Sequence, residues 1–143
     1  MTRPRRMAPF LLLAVLLVSG QRALGADLMR AGQWVLDITS EKPGSAPMQQ
    51  IRCVSAAEAR TVNGRDANEA VKVLGQMGGD CKVTGAKFTG NTLAYSLSCP
   101  QMGFSAHAEM TLHGDTFDAV STTTVGKTTS KNHTKGHRTG DCK

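Results

Sequence analysis

Between Phe104 and Leu112 apolar and polar residues alternate without a break. Phe104, Ala106, Ala108, Met110 and Leu112 fall on one side; Ser105, His107, Glu109 and Thr111 fall on the other, followed by His113. A period of two is the mark of a half-buried strand. Gly114-Asp115 then offers glycine first, as a type II′ turn requires. The next strand, Thr116 to Val125, should pair Phe117 with Leu112, Ala119 with Met110 and Val125 with Phe104. Gly126-Lys127 repeats the turn signal. A last strand is predicted from Thr128 to about Thr134, with polar chain from there to Cys142.

The same reading applies upstream. Trp34, Leu36 and Ile38 alternate with Val35, Asp37 and Thr39, so Gln33 to Ser40 is a strand. Loop residues follow, and Met48 to Val54 is a second, antiparallel strand. Ser55-Ala-Ala-Glu58 is a capping box that starts a helix, which Asn63-Gly64 ends. Asp66 to Glu69 repeats the start. Ala70, Val71, Leu74 and Met77 then recur at helical spacing until Gly78-Gly79. From Cys81 to Cys99 the pattern is a hairpin. A three-residue loop centred on Gly90 sets Phe88 against Thr92, Gly85 against Tyr95, Val83 against Leu97 and Cys81 against Cys99. Opposed cysteines are close enough to form a disulfide. That leaves Cys53 with Cys142.

The class implied is α+β. It is an antiparallel β meander of six to seven strands, a curved sheet or partial barrel. One or two short helices are inserted after the second strand, and two disulfides complete it. Every strand has one apolar side, and these sides must be buried together. The expected core face carries Trp34, Leu36, Ile38, Val83, Tyr95, Leu97, Phe104, Met110, Leu112 and Phe117, covered mostly by the helices.

Composition changes this picture at the N-terminus. Arg3, Arg5 and Arg6 precede an apolar run from Ala8 to Val18, and small residues lead to Gly25. That is a secretory signal peptide over residues 1–25, its apolar run too short for a stable membrane anchor. Residues 26–143 then form one domain, periplasmic or secreted. The formal charge of +6 falls accordingly. Four of the 17 basic residues lie in the leader and all 11 acidic ones beyond it, leaving 13 against 11, or +2. With so few aromatics for stacking, nucleic acid is not an expected partner. Four cysteines in an exported chain read as disulfides, and no C-x-x-C pair is present to hold zinc.

Three short motifs carry a family resemblance. Gly32-Gln33-Trp34 opens the first strand, Cys53-Val54-Ser55 leads to Glu58, and Gly140-Asp141-Cys142 closes the chain. Together they resemble the proteobacterial exported family called domain of unknown function 3617. The resemblance covers nearly all of the mature chain. It implies an exported, disulfide-bearing domain and no particular activity.

Candidate chemistry is sparse. His133 and His137 have the spacing of a helical metal pair, but Gly136 between them argues for strand or loop. His107 and His113, with Glu109, could hold a metal weakly on one strand face. His107, Glu109 and Asp118 could meet across the last hairpin as a hydrolase-like group, though on an open face. The cysteines should be oxidised and inert, and no G-x-S-x-G is present. Lysines at the C-terminus should guard a terminal edge strand. The expectation is therefore a non-catalytic envelope binding or interaction module, a monomer without cofactor, whose partner is an envelope component or protein. The alternatives are a carrier of a small apolar ligand on the concave sheet face, a hydrolase, and a weak periplasmic metal binder.

Overall fold

The computed structural model describes residues 26–75 and 81–143. The expected signal peptide, residues 1–25, and the proposed helix stop at Gly78-Gly79 with Met77 lie outside the described residues. Seven antiparallel strands make one sheet: β1 Gly32–Ser40, β2 Met48–Val54, β3 Lys82–Thr89, β4 Thr92–Cys99, β5 Phe104–Leu112, β6 Thr116–Val125 and β7 Thr128–Gly140. Two helices, α1 Ala56–Asn63 and α2 Ala67–Gly75, follow β2. The order across the sheet is β2-β1-β7-β6-β5-β4-β3, so it is open, with β2 and β3 at its edges. Both disulfides form as the register requires. Cys81 and Cys99 have Cα atoms 4.2 Å apart, and Cys53 and Cys142 5.5 Å apart.

Local chemistry explains the elements. The Ser55 hydroxyl accepts from the Glu58 N–H at 3.2 Å, and the Glu58 carboxylate accepts from the Ser55 N–H at 2.7 Å. This satisfies donors that an uncapped helix start leaves orphaned. Asp66 caps α2 in the same way, its carboxylate accepting from the Glu69 N–H. The β5–β6 pairing sets Leu112 against Phe117, Met110 against Ala119 and Phe104 against Val125, as the alternation predicts. Val125 faces Thr128 across the last turn.

Three expectations need correction. The β3–β4 turn has two residues, not three: Thr89 faces Thr92, with Gly90 at φ 61°. Phe88 therefore faces Leu93. A bulge at Gly85-Ala86, with Gly85 at φ 62°, puts two residues opposite Tyr95 and restores Val83 against Leu97. One residue lost in the turn is regained in the bulge, which is why the disulfide still closes.

The last strand also runs far past Thr134, to Gly140. Its polar residues form a strand because β1 pairs with it along one side while β6 pairs along the other. β7 is thus internal, and Lys131 and Lys135 guard no edge.

Finally, among the described residues the buried cluster under the helices takes in part of the concave face only. Trp34, Leu93, Leu112 and Phe117 are buried with Ala59 and Val62 of α1 and Ala70 and Val71 of α2. Leu36, Val83, Tyr95 and Met110 pack against that cluster, whereas Ile38, Leu97 and Phe104 do not belong to it. α2 packs on β3, and Arg52 on β2 donates to its last carbonyls, those of Val73 at 2.6 Å and Leu74 at 2.9 Å. These bonds tie the end of α2 to β2.

Gly136 lies opposite both Leu36 and Phe117. A β-carbon there would fall 2.5 Å from Cδ1 and Cζ of Phe117, so the bare backbone seats the ring. Phe117 in turn lies 5.8 Å from Trp34, centroid to centroid.

The N-terminal segment closes the top of this core. Asn63, last in α1, accepts from the N–H groups of Leu28 and Met29 and donates to the Met29 carbonyl, at 2.8–3.0 Å. Met29 forms a parallel bridge to Gly114 and is almost fully buried. The Trp34 indole N–H donates to the Arg30 carbonyl at 3.0 Å.

Candidate functional site

The convex face carries most of the chain's titratable candidates. Register places Ser96, His107 and Thr122 in one row, and Thr111, Asp118 and Lys135 in another. Asp118 is four residues along β6 from Thr122. At the strand rise this is roughly 13 Å, so Asp118 does not join His107. His107 Nε2 lies 4.0 Å from Glu109 Oε1, and its Nδ1 lies 3.1 Å from Ser96 Oγ. Ser96 is a neighbour that the pattern of β5 alone does not reveal; the register of β4 does. His107 and Glu109 are both well over half exposed on an open sheet.

The histidine pairs are separated by the same geometry. His133 and His137 are on β7, where four residues span roughly 13 Å rather than one helical turn. His107 lies inside β5, while His113 sits beyond its end, beside the Asn91 amide. His133 Nε2 meets Glu41 Oε1 at 2.8 Å, and Lys131 meets the same oxygen at 3.1 Å. Those two hydrogen bonds, His133 first, hold the Glu41 carboxyl below its ordinary pKa. No group of three or more metal-ligating side chains occurs among the described residues.

A polar groove lies at the β5–β6 turn, lined by Arg30, Arg65, His113 and Asp115 among others. Both of its arginines are already engaged. Arg30 donates to Asp115 at 2.7 Å, and Arg65 donates to the Gly90 carbonyl. Arg65 holds φ 60° as the residue after the helix cap Gly64, its N–H bonded to Val62 O. The left-handed turn is therefore part of how α1 ends.

The remaining region is the half of the concave face that lies outside the core cluster of the described residues. Leu97, Ala106, Phe104 and Val125 lie in adjacent rows of β4, β5 and β6. None belongs to the core cluster, and Val125 is 53 % exposed. The single 3-10 turn ahead of β5, Pro100–Met102, adds exposed Met102. Across a band of Ser121, Thr123, Ser130 and Asn132 lie Ile38 and exposed Met48.

A family described as protein of unknown function (DUF3617) matches residues 29–142. The chain belongs to that family. No curated protein and no solved structure matches it. The matched span takes in all seven strands, both helices and both disulfides. Met29 and Cys142, at its ends, are the residues that close the core and tie the C-terminus to β2. The two disulfides suit an oxidising compartment. Among the described residues no helix is long and apolar enough to cross a membrane.

Proposed function

We propose that this protein is an exported, non-catalytic binding domain of the cell envelope. In this reading the half of its concave face outside the core cluster receives an apolar group of its ligand. One observation carries this: α1 and α2 bury the Trp34 half of the face and leave Leu97, Phe104, Ala106 and Val125 outside the core. An apolar strip left open on an otherwise alternating sheet is more often a binding surface than an accident of folding. The charged n-region, the short apolar run and the two disulfides support export to a periplasmic or secreted setting.

Binding of anilinonaphthalene sulfonate to the folded, oxidised domain tests the reading. Ala106→Arg and Leu97→Asp should each abolish the fluorescence gain, with melting behaviour retained. Val120→Asp, on the convex face, should leave it intact. Equal binding by all three variants would show that the strip is not the site.

A further inference from the structure

The two edges of the sheet are built differently. β3 carries Lys82, Lys87 and the Gly85-Ala86 bulge. These are devices by which an edge strand avoids pairing with another chain. β2 has none of them. Its seven residues pair with β1 in unbroken register and include no lysine and no proline. Its one charge, Arg52, is turned onto the α2 carbonyls and Glu58. Ile51 is 68 % exposed on the convex side and Met48 52 % on the concave side. Among the described residues, the backbone of Gln49 to Cys53 bonds to nothing but β1. Alternate N–H and C=O groups therefore face outward without a partner.

We propose that β2 docks the β2 strand of a second copy of this chain, antiparallel, about a two-fold axis at Ile51. A two-fold interface requires a self-complementary surface, and this strand meets the condition. With the axis there, Ile51 faces the copy's Ile51 on the convex side. Gln49 faces Cys53, Gln50 faces Arg52 and Met48 faces Val54. The only charge meets a neutral amide, so no like charges oppose one another. The pairing is independent of what the concave face binds, because it occupies the backbone edge and not that face.

Sedimentation of the oxidised mature chain from about 1 μM to about 1 mM, the range where moderate association is read, tests the proposal. A concentration-dependent shift from monomer to dimer is expected. Ile51→Lys should hold the monomer throughout, since it sets two ammonium groups opposite each other. Its circular dichroism and melting should match those of the unaltered protein. Lys87→Ala, on the other edge, should leave the dimer unchanged. Amide exchange of the unaltered protein should show added protection at Gln49 to Cys53 as concentration rises. A monomer at the highest concentration would overturn the proposal. So would a dimer that survives Ile51→Lys without added protection in β2.

Discussion

Replacing Gly136 with alanine puts the central packing of the sheet to a direct test. Gly→Ala in a compatible strand normally stabilises by about 0.4–1 kcal/mol, because the unfolded chain loses freedom. Here the new methyl would meet the face of the Phe117 ring, with two ring carbons 2.5 Å away. Phe117 is 5 % exposed and cannot swing into solvent without opening the core. Overpacking of this kind costs about 1–3 kcal/mol. Displacing the ring also puts at risk its contact with Trp34, worth about 0.5–1.5 kcal/mol for an aromatic pair. The penalty outweighs the entropic gain, and a net loss of about 1–3 kcal/mol is expected. Urea unfolding followed by Trp34 fluorescence measures it. In the starting protein the indole, 1 % exposed, should resist iodide quenching. The decisive arm is a double-mutant cycle with Phe117→Leu. In that background the clash is relieved, and Gly136→Ala should become neutral or stabilising. If Gly136→Ala costs the same with leucine as with phenylalanine at 117, the ring does not sit on the glycine and the argument fails.

Asn63→Ala removes three hydrogen bonds to Leu28 and Met29. It should cost about 1–3 kcal/mol, since backbone groups are left unpaired, and amide exchange should localise the loss to residues 28–30. Acid should weaken the start of α1. The Glu58 carboxyl is held below its usual 4.5, chiefly by the Ser55 backbone N–H. Its contribution is therefore complete above the unfolded value and lost as pH falls through the folded one. Glu58→Gln should flatten that limb of a stability–pH curve. Replacing Cys53 and Cys142 together by serine should cost about 4–5 kcal/mol, against about 3 for Cys81 and Cys99, because the first pair closes the longer loop. Equal losses in chemical denaturation would refute the loop-entropy account.

Features set by neighbouring residues were legible in the sequence. The Gly114-Asp115 and Gly126-Lys127 turns fix the registers of β5, β6 and the start of β7. The capping box fixes α1. What the pattern hides depends on partners distant along the chain. Lys135 to Thr139 reads as polar coil, because a strand between β1 and β6 draws its apolar contacts from Trp34, Leu36 and Phe117. Gly136 looks like a break when it is a seat. The bulge at Gly85-Ala86 is equally silent, since a shorter turn and an extra residue leave the cysteines where a simpler hairpin would. The open strip around Phe104 was legible as an apolar face. Its lack of cover was not, because helix placement follows from Arg52 binding the end of α2.

The place of β7 has a consequence in time. It follows every other strand in the chain, yet it joins the β1–β2 hairpin to the β3–β6 block. Until it is in place, the two halves have no strand between them, and Trp34 waits for the Gly136 region on which its neighbour Phe117 rests. Pairings this distant along the chain, such as Trp34 with Arg138, slow folding.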